Sequence, residues 1–390
     1  MMIEFLQRYL QIDTTFPNPR YHDAVQLFAQ QAARDGFDVN VVELSSGFPF
    51  LIISYEGTDK GLPSLALNHH MDVALADPTL WNSNPFSGTL KNQVLYGRGV
   101  QDMKGVGVVH YFALQQLKRE GIKPRRSIHL FVAPDEERGG FKGTKLFIET
   151  PQFKKLNVGF VLDEAIPSGT EGMLLLKVSE RKPIHARFTA TGVMSHGSRL
   201  DSKNPIHDLT RFLAKLVQMH QEQNARMHDE PAGLLLSVNI TSIQSGVMKN
   251  GQVALNVVPD VATATIDMRI PPQILLSQAL EKLNSVLTDF PTITMNVEAI
   301  ASDRDVTIDY KTSFYHAVNA AIQDCGLTTV PLFAEFASDL RFYFDQGIEG
   351  IGLTPFTTEN NIHGNNESVP VSDIELGKSV IYQILKSFCE

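Results

Sequence analysis

Cysteine is scarce in this chain of 390 residues, in which only Cys325 and Cys389 occur. Two cysteines cannot build a disulfide framework or a thiolate metal cluster, and their scarcity is typical of a reducing compartment, so we expect a cytoplasmic protein. Long apolar runs are also missing. No segment approaches the roughly 18 uninterrupted apolar residues of a transmembrane helix, and the opening MMIEFLQRYLQ does not have the regions of a signal peptide.

Positive charge is not in excess either. The formal net charge is -9 and the pI is about 5.7, which argues against nucleic acid or an anionic membrane as a partner because both require clustered Lys and Arg. Hydrophobic residues make up 43% of the chain, and its length exceeds that of one ordinary core. We therefore expect two globular domains, with neither nucleic acid nor a membrane as a partner.

The pattern of predicted elements changes near residue 180. Before it, amphipathic helices alternate with apolar runs such as LALNHHMDV and SIHLFVAPDEE, which is typical of an α/β sheet buried on both faces. From about Pro183 the order becomes β-α-β-β-α-β, the ferredoxin-like arrangement. We predict an α/β catalytic domain from residues 1–181 and 302–390, with a central mixed sheet flanked by helices. An α+β domain over residues 182–301 would be inserted into it.

Candidate metal ligands stand where apolar runs end. In an open α/β sheet the strand ends form the functional crevice, so polar residues from separate strands can converge there. Converging carboxylates and imidazoles need a cation, and two zinc ions would satisfy them. Taken singly, an acidic cluster is more often a solvated surface and a lone histidine more often structural. The candidates are His70, Asp102, Glu137, Glu164 and His363.

Two further carboxylates lie beside these candidates. Strand alternation puts Asp72 on the same side as His70, where its carboxylate could orient the imidazole. Glu136 adjoins Glu137 in the loop PDEERGG, and we expect it to take a proton from metal-bound water and pass it to the leaving nitrogen. The chain contains no Gly-x-Ser-x-Gly elbow. These residues predict a metal-dependent hydrolase that needs no covalent intermediate.

Five segments in order, HMDV, YGRGVQDMKG, APDEERGG, LDEA and HGNNE, resemble the aminoacylase and carboxypeptidase family of dinuclear zinc amidohydrolases. The resemblance spans nearly the whole chain and implies a zinc-peptidase-like catalytic domain with an inserted dimerisation or lid domain. It implies two zinc ions per subunit, which cobalt or manganese could replace, and a cis peptide bond after Asp102. It further implies that Asp102 bridges the ions, Glu136 is the general base and Asp72 orients His70. The remaining ligands would be His70, Glu137, Glu164 and His363.

The resemblance also implies roles for residues of the inserted domain. GVMSHGSR matches the segment whose histidine reaches the active site of a partner subunit. In a homodimer, His196 would therefore stabilise the oxyanion that develops in the active site of the other subunit. Asn256, Arg269 and Arg341 match positions that bind the substrate carboxylate, a task that suits the planar guanidinium of arginine. The alternative for Arg269 is that it is an ordinary exposed arginine rather than a substrate-binding residue.

Within that family the aminoacylase branch is the most similar, through VSERKP, GVMSHGSR and LNVVP. It implies hydrolysis of N-acyl-L-amino acids to a free amino acid and a carboxylate. Met71, Leu75 and Ser338 depart from the residues usual in that branch, which bears on acyl-chain and side-chain preference. A dipeptidase or carboxypeptidase and a specialised deacylase with the same metal site are alternatives. A non-catalytic binding relative is a third, against which the intact Glu136 argues.

Overall fold

Apolar runs bounded by turn residues form the strands of a large sheet. The computed structural model describes residues 1–299 and 310–389. They divide into two compact units, the first with residues 1–178, 310–332 and 338–389 and the second with residues 179–299 and 333–337. The predicted domain boundary at residues 301 and 302 lies outside the described residues.

The helices and strands alternate along much of the chain. The helices are α1 (Met2–Leu10), α2 (Tyr21–Arg34), α3 (Lys104–Arg119), α4 (Thr144–Ile148), α5 (Pro151–Lys155), α6 (Pro205–Asn224), α7 (Leu276–Leu287), α8 (Ser313–Asp324), α9 (Leu340–Asp345) and α10 (Val371–Ser387). The strands are β1 (Asp38–Ser45), β2 (Phe48–Tyr55), β3 (Ser64–His70), β4 (Thr89–Lys91), β5 (Val94–Tyr96), β6 (Ile128–Ala133), β7 (Val158–Asp163), β8 (Met173–Glu180), β9 (Lys182–Thr191), β10 (Ser195–His196), β11 (Ser237–Ser245), β12 (Met248–Lys249), β13 (Gln252–Val253), β14 (Val257–Val258), β15 (Val261–Ile270), β16 (Ile293–Ala299), β17 (Thr328–Ala334), β18 (Glu349–Gly352) and β19 (Ser368–Pro370). None of the helices in the described part of the chain combines the length and apolar character that crossing a bilayer requires.

The first unit is built on a mixed sheet with the strand order β1-β2-β6-β3-β7-β18-β8-β17. Strand β3 pairs in parallel with both β6 and β7, so the carboxyl ends of these three strands meet at one edge. Every residue of β3 and β6 is buried, as expected for strands covered on both faces. This arrangement confirms the predicted α/β fold with a central mixed sheet.

Helix α3 packs against β3 and α10. It follows the peptide bond between Asp102 and Met103, which is cis as the resemblance implied. The apolar spacing that predicted it, from Val106 to Leu117, gives its buried face. The helix ends before Gly121, whose φ of +73° suits a glycine after a helix C-terminus.

The second unit contains an antiparallel sheet with the order β11-β15-β9-β16. In chain order its elements are β9, α6, β11, β15, α7 and β16, which is the predicted β-α-β-β-α-β succession. Buried and more exposed residues alternate along β15, so one face of the sheet lies on the core with α6. The core includes Phe188, Phe212 and Ile266. The α+β character expected of this part of the chain is confirmed.

Candidate metal centre

The strand ends of the first unit carry the candidate ligands. His70 is the last residue of β3, and Glu164 directly follows β7. Glu136 and Glu137 lie in a single 3-10 turn just after β6. Because β6, β3 and β7 are adjacent and parallel, these side chains are delivered to the same edge of the sheet.

Asp102 lies between two imidazoles. Its Oδ1 is 3.0 Å from Nε2 of His70, and its Oδ2 is 3.0 Å from Nε2 of His363. The same nitrogen of His70 is 3.2 Å from Oε2 of Glu164. That of His363 is 3.2 Å from Oε1 of Glu137. The five sequence-predicted ligands therefore form two groups of three that share Asp102.

The two consecutive glutamates face different histidines. A carboxylate oxygen of Glu136 and the ligand atoms of His70 and Glu164 lie within 4.8 Å of one another. Glu137 instead faces His363, which is exposed, whereas His70 is buried. The turn after β6 thus separates two neighbouring carboxylates into two chemical environments.

The ionisable groups of the cluster perturb one another. Burial and the charge of Asp102 raise the pKa of Glu164 to about 8. Burial and the charge of Glu164 raise the pKa of Glu136 well above its ordinary value. Hydrogen bonds to Asp102 and Glu137 raise the pKa of His363 to about 10. These shifts arise because acidic side chains and imidazoles crowd one small space, and such nitrogen and carboxylate donors fit two divalent metal ions.

Asp72 makes contacts that the sequence did not predict. Its two carboxylate oxygens accept the backbone N–H groups of Glu136 and Glu137, at 3.1 and 2.9 Å. Its backbone carbonyl lies 2.9 Å from Nδ1 of His70, whereas its nearer carboxylate oxygen is 3.6 Å from that nitrogen. Asp72 therefore contacts His70 mainly through its backbone and holds the glutamate turn with its side chain.

Arg341, a predicted substrate-binding residue, contacts the same turn. One guanidinium nitrogen donates to the carbonyl of Gly139 at 2.7 Å, and the other terminal nitrogen donates to the carbonyl of Ser338. Its Nε has no hydrogen-bond partner among the described residues. Arg341 thus ties the start of α9 to the loop that carries both glutamates.

The other predicted substrate-binding residues belong to the second unit. There β10 pairs with β14, and the N–H of Gly197 donates to the carbonyl of Asn256 at 2.7 Å, which brings His196 and Asn256 together. Both residues are exposed. Arg269 is half-buried and donates to both carboxylate oxygens of Asp267, at 2.7 and 2.9 Å. Its guanidinium is therefore already paired with an acidic neighbour on β15.

Comparison with known proteins agrees with this architecture. Residues 66–387 match peptidase family M20/M25/M40. Aminoacylase-1 of Mus musculus is 30% identical over 372 residues, which cover 94% of this chain and 90% of that protein. An M20 family metallo-carboxypeptidase from Sulfolobus solfataricus has a similar structure, with a TM-score of 0.78 at 17% identity over 99% of both chains. A dinuclear metal-binding peptidase of the M20 family from Bacillus subtilis has a TM-score of 0.69 at 14% identity, over 98% of this chain and 96% of that one. The chain therefore belongs to peptidase family M20/M25/M40.

Proposed function

We propose that this protein is a metal-dependent hydrolase of N-acyl-L-amino acids, which releases a free amino acid and a carboxylate. The observation that carries the proposal is the pair of donor groups that share Asp102. They occur in a chain that is similar to aminoacylase-1 over nearly its full length. The scarcity of cysteine supports a cytoplasmic location.

One metal ion is assigned to His70, Glu164 and Asp102, and the second to Asp102, Glu137 and His363. Zinc is the proposed metal because it accepts imidazole and carboxylate ligands together. When bound, the ions would polarise the scissile carbonyl and lower the pKa of water at the site. Asp102 suits the bridging position because each of its oxygens faces a different imidazole.

Glu136 is the proposed general base. The carboxylate of Asp72 holds its backbone N–H, and its own carboxylate lies close to the ligand atoms of His70 and Glu164. From that position it would accept a proton from the attacking water and transfer it to the leaving nitrogen. Glu137 serves as a ligand instead, since it faces His363.

Substrate binding is assigned to Asn256, Arg269 and Arg341, which would hold the free carboxylate of the amino acid. A guanidinium suits this task because it can bind a carboxylate through two parallel hydrogen bonds. Arg269 already donates to both carboxylate oxygens of Asp267, so the substrate carboxylate would have to share or replace that partner. His196, exposed beside Asn256, would act on the oxyanion in the second subunit of a homodimer.

Initial rates of the zinc-loaded protein on N-acetyl-L-amino acids and dipeptides with matched side chains test the substrate class. We expect faster hydrolysis of the N-acetyl series. A preference for dipeptides would move the assignment to a peptidase. If the protein binds two metal ions and hydrolyses neither series, a specialised deacylase or a non-catalytic binding protein becomes the better interpretation.

The general base is tested by Glu136→Gln, with Glu137→Gln as the matched control one residue away. Glu136→Gln should keep both metal ions and lose turnover about 10²–10⁴-fold, because an amide cannot accept the proton. Glu137→Gln should lower the metal content instead. Metal content is measured by mass spectrometry and turnover by kcat, and a Glu136→Gln protein with normal kcat would remove Glu136 from the mechanism.

The action of His196 in trans is tested by mixing Glu136→Gln and His196→Ala chains, each inactive alone. If His196 completes the site of the other subunit, every mixed dimer contains one complete site. Random exchange of subunits should then restore about a quarter of the wild-type activity. No recovery after verified exchange would argue against the proposed role of the partner subunit.

A further inference from the structure

A buried ion pair lies beside the loop that carries His363. Arg98 is 2% exposed and Glu367 is 0% exposed. A terminal nitrogen of Arg98 is 2.9 Å from Oε2 of Glu367. Burying two charges is costly, and such a pair is weak evidence for stability by itself. Its other contacts therefore indicate what it does.

The second terminal nitrogen of Arg98 donates to three backbone carbonyls. They belong to Leu75, His363 and Gly364, at 3.2, 3.1 and 3.0 Å. His363 has a φ of +57°, in the left-handed region that residues other than glycine seldom occupy. Such a conformation persists when the surrounding structure holds it. Arg98 holds the carbonyls of His363 and of the next residue, so it supports the backbone from which the imidazole projects.

Glu367 contacts a different ligand loop. Its carboxylate accepts the backbone N–H groups of Gly99 at 2.9 Å, Gln101 at 2.8 Å and Asp102 at 3.4 Å. These residues form the turn that leads into α3 and ends at the shared ligand Asp102. One carboxylate therefore organises the backbone that presents Asp102 to both histidines.

We propose that Arg98 and Glu367 are positioning residues of the metal centre and that they act on different ligands, Arg98 on His363 and Glu367 on Asp102. The inference deepens the proposed function, since it rests on the assigned metal sites. Asp102 belongs to both donor groups, whereas His363 belongs to one. Loss of the Glu367 contacts should therefore weaken both metal sites, and loss of the Arg98 contacts only the site of His363.

Titration of the metal-free protein with cobalt(II), followed by calorimetry and visible absorption, tests this difference. Arg98→Lys keeps a charge beside Glu367, but a lysine amine cannot reproduce the planar fork that reaches the carboxylate and three carbonyls. In Arg98→Lys we expect cobalt to bind the site of His363 about 10–100-fold more weakly, a loss typical of residues that orient metal ligands. The other site should bind cobalt with an affinity within about twofold of wild type. Glu367→Gln should weaken both sites about 10–100-fold.

Arg181→Lys is the control for replacing a buried arginine. Arg181 is 8% exposed and donates to the carbonyls of Leu235 and Glu335 in the second unit. Both cobalt sites should be unchanged in this variant. Circular dichroism and urea unfolding establish that each variant is folded. If Arg98→Lys or Glu367→Gln does not fold, the double variant Arg98→Met with Glu367→Gln, which leaves no unpaired charge, should show both sites weakened.

Two results would overturn the proposal: wild-type cobalt affinities in the folded variants, or equal weakening of both sites by Arg98→Lys. The measurement does not depend on hydrolysis. A wild-type protein that binds two cobalt ions and hydrolyses no N-acyl amino acid would therefore refute the proposed substrate class, while the two positioning roles would still be decided by the titrations.

Discussion

At Asp72 a single carboxylate accepts two consecutive backbone N–H groups, those of Glu136 and Glu137. Asparagine offers one oxygen there, and its amide nitrogen would face the second N–H as another donor. We therefore expect Asp72→Asn to loosen the turn that carries both glutamates and to lower metal affinity or kcat about 10–100-fold. Metal titration and steady-state kinetics measure the two effects.

The same substitution at Asp77 is the matched control. Asp77 also accepts a backbone N–H, that of Thr79, but in an exposed turn. Asp77→Asn should leave metal affinity and kcat unchanged. Wild-type behaviour of Asp72→Asn would mean that the glutamate turn keeps its conformation without this carboxylate.

At the scale of elements, α3 lies unusually close to β3 at Gly107. A Cβ placed on Gly107 would lie 2.2 Å from Cδ2 of His69, which is fully buried. Alanine normally favours a helix interior over glycine by about 1 kcal/mol. We expect the opposite sign here, with Gly107→Ala lowering the free energy of unfolding by about 1–3 kcal/mol through overpacking. Urea unfolding at neutral pH measures the change.

The double variant with His69→Ala shows whether the His69 ring is the cause. With the ring removed, Gly107→Ala should lower the free energy of unfolding far less. The difference between its effects in the wild-type and His69→Ala backgrounds is the coupling energy of the two residues. An equal cost in both backgrounds would place the strain elsewhere in the helix. Because successive side chains of a strand point to opposite faces, the His69 ring lies against α3, whereas the neighbouring His70 faces the candidate ligands.

Periodicity predicted most elements because the signal is local. The buried face of α3 lies within a few turns, and alternation along β15 lies within one strand. The fold class follows from such local patterns, whereas the family resemblance rests on five short motifs in order, and both are confirmed. The sequence did not reveal that Asp72 would hold the turn after β6, because residues 64 and 65 positions away supply the N–H groups.

At the scale of the whole molecule, stability should depend on pH through buried neutral histidines. His110 is fully buried on α3, and neither ring nitrogen has a hydrogen-bond partner among the described residues. Burial lowers the pKa of His110 to about 3. Below its ordinary pKa of about 6.5 the unfolded chain binds a proton that the folded chain does not bind. The contribution of neutral His110 to the free energy of unfolding is therefore complete above about pH 6.5 and falls as the pH decreases toward about 3.

Substitution of His110→Phe removes this proton linkage. Between pH 6.5 and 4.5 the free energy of unfolding of wild type should fall by about 2–3 kcal/mol more than that of the variant. Urea unfolding at several pH values measures both slopes. If the free energy of unfolding depends equally on pH in wild type and His110→Phe, His110 binds a proton in the folded protein as readily as in the unfolded chain.

The sequence by itself determined the α/β fold, the inserted α+β elements and the chain order of the candidate ligands, because these depend on periodicity and on residues next to strand ends. Only the tertiary structure decided which glutamate faces which histidine, since both follow the same strand. It also paired Arg98 with Glu367 across 269 positions of the chain. Such contacts are set when distant loops pack together, and no local pattern of residues encodes which partners meet.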